Sequence, residues 1–141
     1  MTTNIPIILR ISSEEYLEIS EIEKFSGGSG YRSRLSVRSG QFSCSGHPFY
    51  FDDLKSFIKN ITRAYDKVEG KARLADTHEK DFIEISVQTN GHVSITGFVV
   101  QYGPLRQELR FGFECDQTFL PDLLKSLKQI AKDLEPDIQN A

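Results

Sequence analysis

The sequence predicts an α+β fold, in which a largely antiparallel β-sheet carries two amphipathic helices. Apolar and polar residues alternate strictly over much of residues 81–115, as is typical of strands with one buried face. Apolar residues recur at helical spacing over about 51–68 and 118–134. The length of 141 residues fits a single domain, 1–141, that can bury a core of its own.

The N-terminal half is predicted to contain four strands. Residues 5–11 and 16–19 resume the same alternation on either side of a polar break, which favours a hairpin. A glycine-rich loop precedes a strand over residues 31–38, whose odd-numbered apolar positions share one face and whose arginines share the other. A fourth, short strand carries Phe42 and Cys44.

Each predicted helix has one apolar stripe and suitable residues at its ends. Asp52 and Asp53 lie in the predicted first turn of the first helix, where negative charge is favourable, and Gly70 is the expected stop. Its stripe consists of Leu54, Phe57, Ile58, Ile61 and Tyr65. In the second helix Asp116 or Thr118 can cap the first turn, and Pro136 follows the end. Its stripe consists of Leu120, Leu123, Leu124, Leu127, Ile130, Ala131 and Leu134.

The hairpin around Asn90-Gly91 can be assigned a register from the apolar pattern. A two-residue loop would place the apolar Val87 opposite the polar Ser94, which breaks the buried face. A three-residue loop over 89–91 places Val87 opposite Val93 and keeps that face continuous. We therefore predict a type I turn with a G1 bulge and a left-handed Gly91.

The next hairpin, around Gly103-Pro104, is assigned in the same way. Parity allows Val99 opposite Leu109 and Gly97 opposite Phe111, so that the aromatic ring can lie over the glycine. A register displaced by two residues satisfies the same parity.

Composition excludes several classes of function. A formal net charge of -3 does not favour a nucleic-acid partner. The N-terminus lacks the basic and apolar regions of a signal peptide, and no apolar run approaches the roughly 20 residues that span a bilayer, so a cytoplasmic protein with no membrane association is expected. Cys44 and Cys115 are expected to be reduced and buried.

No pattern of residues predicts a catalytic, cofactor or metal site. Cys44-x-x-His47 has the spacing of a metal-ligand pair, but a structural zinc site needs four ligands and no second pair is present. A nucleophilic cysteine would need His47, His78 or His92 beside it and a third group to orient the imidazole, and His78 and His92 are expected to be solvated. The glycine-rich loop 27–30 lacks the following Lys-Ser/Thr of a phosphate-binding loop and precedes a strand.

Two charged stretches are the candidate binding residues. The first hairpin is acidic and could dock a basic protein through Glu18, Glu21 and Glu23. The strand that follows carries Arg32, Arg34 and Arg38 on one face, where they could bind an anion. Alternatively, these glutamates and arginines pair with one another across neighbouring strands.

Three segments in the C-terminal half carry a family resemblance. Residues 91–97, 109–114 and 116–120, the last reading Asp-Gln-Thr-Phe-Leu, resemble the C-terminal signature of WapI-type immunity proteins. The resemblance implies a small cytosolic bacterial protein that binds and neutralises a cognate polymorphic toxin. It brings no catalytic residues, since the matching positions look structural.

The leading hypothesis is therefore a non-enzymatic protein that binds a toxin and occludes its active surface. A rival hypothesis is a domain, which could be enzymatic, that binds a small molecule or phosphate on the arginine face. A third is self-association through a sheet edge. The sequence leaves the oligomeric state and the identity of any toxin open.

Overall fold

Two four-stranded antiparallel sheets and two α-helices form the fold, which confirms the predicted α+β class. The structure is a computed structural model and describes residues 1–28, 30–76, 78 and 80–135. Sheet A has the order β1-β2-β3-β4, with β1 Ile7–Arg10, β2 Glu15–Lys24, β3 Gly30–Ser39 and β4 Phe42–Asp52. Sheet B has the order β5-β6-β7-β8, with β5 Gly70–Ala75, β6 Phe82–Val87, β7 His92–Gln101 and β8 Gln107–Asp116. Helix α1 spans Leu54–Lys67, and α2 spans Leu120–Leu134 after a 3-10 turn at Gln117–Phe119.

Helix α1 begins later than the sequence predicts, because β4 is a long strand that continues through Asp52. Phe51 lies opposite Tyr31, and the two rings stack with centroids 5.0 Å apart in the core. Strand pairing thus overrides the helical spacing that placed Phe51 in the first turn. Asp53 is the N-cap, with φ 50°, and its side chain accepts a hydrogen bond from the backbone N–H of Ser56 at 3.2 Å.

The end of α1 leads into a strand that the sequence did not reveal. Ala64 takes the buried position in the last turns, whereas Tyr65, predicted in the core, is 36% exposed. Gly70, predicted as a helix stop, is the first residue of β5 and has φ 145°. β5 was missed because it places only Ala72 and Leu74 in the core, which is too few apolar residues for a visible alternation.

Sheet B has the registers that parity predicts. Val87 lies opposite Val93, and the backbone N–H of Gly91 bonds to the Gln88 carbonyl at 2.9 Å, which closes the predicted loop. Gly91 is left-handed, with φ 83°. Gly97 lies opposite Phe111, and a Cβ at position 97 would collide with that ring. Position 97 therefore requires glycine, because the ring of Phe111 lies close to the backbone there.

Both sheets and both helices contribute to one cluster of buried apolar side chains. Full burial of each Leu, Ile or Phe contributes about 1.5–3 kcal/mol before chain entropy is subtracted. The predicted stripe of α2 is confirmed, with six of its members buried and Ala131 partly buried. Asp116 caps the 3-10 turn that precedes α2, because its Oδ1 accepts a hydrogen bond from the Thr118 backbone N–H at 2.9 Å, whereas α2 itself begins without a side-chain cap. Pro136 lies outside the described residues.

The C-terminal end of α2 is tied to sheet A by a polar cluster. The carboxylate of Glu135 accepts hydrogen bonds from the Tyr31 hydroxyl and from Nζ of Lys24, the latter at 3.1 Å. Burial works against the charge on Glu135, but these two hydrogen bonds outweigh it and hold the pKa of the carboxyl below its ordinary value. Burial, reinforced by the bond to Glu135, raises the pKa of Tyr31 well above that of a free tyrosine.

Candidate interaction surface

The predicted acidic and basic residues lie together on the outer face of sheet A. Glu23 on β2 lies opposite Arg32 on β3, and their side chains form an ion pair at 2.6 Å. Arg34 approaches Glu21 at 4.0 Å. Pairing across the strands therefore engages two of the three predicted glutamates.

The remaining predicted residues of this face have weaker polar partners. Glu18 lies opposite the uncharged Ser36. The Nε–H of Arg38 donates to the carbonyl of Gly40 at 3.3 Å. The face is thus a mixed ladder of charges, neither purely acidic nor purely basic.

Glu21 has an unusual backbone conformation within this ladder. The pairing of β2 with β3 shifts between Ser20 and Glu23, which marks a β-bulge, and Glu21 has φ 51°. A glutamate with positive φ is uncommon and costs free energy relative to glycine. The bulge turns its side chain outward, where 77% of it is exposed.

The outer face leads at its β4 side to aromatic side chains. Tyr50 on β4 lies opposite Arg32 and Pro48 opposite Arg34, so both continue the outer face. The ring of Phe25, from the loop after β2, stacks on Tyr50 with centroids 6.3 Å apart. The charged ladder therefore gives way to an apolar margin.

Beyond this margin, a cleft of about 790 Å³ separates β4 from the β7–β8 hairpin. Because β4 ends the strand order of sheet A and β8 ends that of sheet B, both edge strands contribute to its walls. The lining residues are Phe42, Ser43, Cys44, Ser45, Gly46, His47, Pro48, Tyr50, Asp81, Val99, Val100, Gln101, Tyr102, Gln107, Glu108 and Leu109.

Large apolar side chains are exposed around the cleft. Phe42 is 66% exposed and Tyr102 is 64% exposed, and each lines the cleft. Leu105, in the loop between β7 and β8, is 82% exposed. Sequence reasoning missed Tyr102 and Leu105, although apolar side chains within a Gly-Pro turn were a signal that could have identified them.

A buried contact between His47 and Asp81 lies in the wall of the cleft. Nε2 of His47 is 2.9 Å from Oδ2 of Asp81, and both side chains are at least 86% buried. Oδ1 of Asp81 accepts a hydrogen bond from the backbone N–H of Val100 at 3.0 Å. Asp81, which the sequence did not single out, thus links β4 to β7.

Cys44 lines the same cleft, but its environment favours the unreactive thiol. Burial raises the pKa of the Cys44 thiol above its ordinary value, with a smaller contribution from the charge of Asp81. Cys115, on the other sheet, is half-buried, and burial raises its pKa to about 11. A nucleophilic cysteine needs the opposite shift.

The other predicted positions lie apart from the cleft. His92 and His78 are exposed, as predicted. The glycine-rich loop joins β2 to β3, and Gly27 there has φ 76°. Within the described ranges, no three His, Cys, Asp or Glu side chains are grouped to hold a metal ion. Neither α1 nor α2 is long and apolar enough to cross a membrane.

A comparison with protein families shows to which family the chain belongs. The sequence model of the Immunity protein WapI-like family matches residues 4–135. The chain belongs to this family. The resemblance predicted from the C-terminal signature is therefore confirmed. The WapI-like match also extends across sheet A, whose sequence could not be assigned from motifs, so the outer face and the cleft both lie within it. No curated protein and no solved structure matches the chain.

Proposed function

We propose that this WapI-like protein is a non-enzymatic immunity protein that binds a cognate bacterial toxin and occludes its active surface. The match of the immunity family over residues 4–135 carries the proposal. The thiol state of Cys44 supports it, because the cysteine beside the buried His47–Asp81 pair lacks the lowered pKa of a nucleophile. Inhibition would then depend on surface complementarity alone.

The cleft and the outer face of sheet A together form the proposed toxin-binding surface. Stable protein interfaces combine aromatic anchors at the centre with a polar rim. Phe42, Tyr50 and Tyr102 supply exposed aromatic side chains at the cleft, and the adjoining ladder supplies charges. Tyr50 joins the two regions, because it lines the cleft and lies opposite Arg32 of the ladder.

Within the rim, we assign Glu18, Glu21 and Glu23 to contacts with the toxin. Because arginines already engage Glu21 and Glu23, these carboxylates contribute mainly to orientation and association rate. The positive φ of Glu21 supports a role in binding, since strained backbone persists most often where it positions a functional side chain.

The decisive experiment tests the proteins encoded by the genes next to this one as candidate toxins. Co-expression should abolish the toxicity of the cognate toxin, and the two purified proteins should form a stable complex. The double variant Phe42→Ala/Tyr102→Ala should weaken binding at least about 100-fold, since aromatic anchors commonly contribute about 2 kcal/mol each. Tyr65→Ala, which removes an exposed tyrosine on α1, is the matched control and should bind normally. A toxin that neither binds nor is neutralised would refute the proposal.

Reversing the charge of the three glutamates tests the charged ladder of sheet A separately from the cleft. The triple variant Glu18→Lys/Glu21→Lys/Glu23→Lys should slow association and change its salt dependence more than it changes dissociation. Unchanged association at low salt would exclude these glutamates from the interface while leaving the aromatic cleft in place.

The alternative, anion binding by Arg32, Arg34 and Arg38, is less favoured by this geometry. An incoming phosphate would have to displace the carboxylate of Glu23 from Arg32 and compete with Glu21 at Arg34. A thermal-shift screen with phosphates and nucleotides tests it. A ligand at 100 times its Kd adds about 2.7 kcal/mol to the folded state, which produces a readily measured rise in Tm.

A further inference from the structure

The two helices enclose a second groove, and among the residues that the structure describes it shares no lining residue with the cleft. Its volume is about 380 Å³. Helix α1 contributes Lys55, Ile58 and Lys59, and α2 contributes Lys128, Ala131 and Lys132. The groove therefore lies on the helical layer, among elements that the toxin-binding proposal does not use.

The groove has an apolar floor and a basic rim. Ile58 and Ala131 are partly buried against the core and form the floor. The lysines are exposed and lie four residues apart on each helix, so each pair projects from one side of the groove. Four ammonium groups thus surround a strip of apolar surface.

The acidic side chain at this groove already has hydrogen-bond partners on sheet A. Glu135 is the one acidic residue among the described residues that line it. Its carboxylate accepts hydrogen bonds from Tyr31 and Lys24, which tie it to sheet A. The groove therefore has an excess of positive charge, although the whole chain has a formal charge of -3.

We infer that this groove binds an acidic amphipathic segment of a partner protein. Apolar side chains of such a segment would cover Ile58 and Ala131, while its carboxylates would face lysines on both sides. The described residues that line the groove include no aromatic side chain for base stacking and no arginine, and the net charge of the chain opposes a polyanion. These features favour a protein segment over a nucleic acid. The inference does not depend on the proposed toxin-binding function.

Fluorescence anisotropy with the full chain tests this inference. The probe is a labelled synthetic helix of about 16 residues with one leucine stripe flanked by glutamates. We expect saturable binding that Lys59→Glu/Lys128→Glu weakens at least about tenfold. Lys71→Glu/Lys80→Glu, which makes the same charge change at exposed lysines away from the groove, should bind the probe normally. Equal losses in both variants would indicate a general charge effect and would overturn the inference.

Further probes separate the floor from the rim and the protein segment from other anions. Ile58→Ala should weaken binding several-fold while keeping every lysine, and its circular dichroism should match that of the parent. The same helix with lysines in place of glutamates should not bind. Tighter binding of a single-stranded oligonucleotide or of phosphatidylserine vesicles than of the acidic helix would overturn the assignment to a protein segment. Absence of binding by the acidic helix would overturn it as well.

Discussion

Sheets A and B have the same number of strands and the same antiparallel order, but they differ in regularity. The pairings of sheet B proceed residue by residue over the described strands, without a shift. In sheet A, β2–β3 shifts between Ser20 and Glu23, and β3–β4 shifts between Leu35 and Val37. The bulge with a left-handed non-glycine residue and the ladder of ion pairs therefore both lie in sheet A.

This difference shows where the apolar pattern alone determines structure. In sheet B, a one-residue register slip would expose a whole apolar face, so alternation fixes which residues share a face and restricts the pairing to registers two residues apart. In sheet A, bulges interrupt the alternation and place charged side chains on the surface, at the cost of local strain. The charged candidate binding residues on β2 and β3 accordingly occur where the pattern is least regular. Four variants test this comparison.

The largest effect is expected at Gly97 of sheet B. In Gly97→Ala, the new Cβ would come within 2.6 Å of Cε1 of Phe111, so the variant should lose about 3 kcal/mol of unfolding free energy. The matched control is Gly112→Ala on the neighbouring strand, where a Cβ would be 3.4 Å from Cγ2 of Thr96. Chemical denaturation measures both. Equal stability of the two variants would contradict the ring placement.

A smaller loss is expected at the turn of sheet B. Gly91→Val forces a β-branched side chain into φ 83° and should cost about 2 kcal/mol. Gly103→Val, at a turn glycine without positive φ, is the control and should cost much less. Thermal unfolding distinguishes them, and an unchanged Tm for Gly91→Val would exclude the left-handed turn.

A still smaller loss of stability is expected when the hydrogen bond between Tyr31 of sheet A and Glu135 at the end of α2 is removed, and this loss should depend on pH. Tyr31→Phe removes a hydrogen bond to a charged group and should cost about 1.5 kcal/mol near pH 7. The lowered pKa of Glu135 contributes stability that is lost as pH falls below the ordinary glutamate value of about 4.3. The raised pKa of Tyr31 contributes stability that is lost as pH rises above about 10.

The difference between parent and Tyr31→Phe should therefore be greatest between about pH 5 and 9 and shrink on either side. Urea unfolding across this range measures it. A difference that stays constant with pH would show that Tyr31 acts through packing with Phe51 and not through Glu135.

The smallest effect is expected at the bulge of sheet A, and it is a gain. Glu21→Gly relieves the left-handed strain, worth about 1–2 kcal/mol, but increases the entropy of the unfolded chain by about 0.5–1 kcal/mol. The net expectation is about 0.5 kcal/mol more stability together with weaker toxin binding. Glu18→Gly, in regular strand geometry, is the control and should destabilise the fold. A less stable Glu21→Gly variant would contradict the assigned strain.

The sequence by itself determined strands β6, β7 and β8 of sheet B, the register of β6 with β7, the stripe of α2, and the family resemblance in the C-terminal half. These features depend on neighbours close along the chain, so apolar alternation and turn residues specify them directly. The outward face of the arginine strand was likewise predictable. Pairing of the glutamates with the arginine strand was predicted, but the specific pair of Glu23 with Arg32 was not, because sequence alone gives no register across the glycine-rich loop.

Only the tertiary structure decided the extent of β4, the existence of β5, and both grooves. Phe51 entered a strand because Tyr31 stacks on it, and this contact joins residues that are far apart in sequence. The cleft brings β4 against the β7–β8 hairpin, and the basic groove brings α1 against α2. Such surfaces arise from packing between elements, which no periodicity within one element encodes.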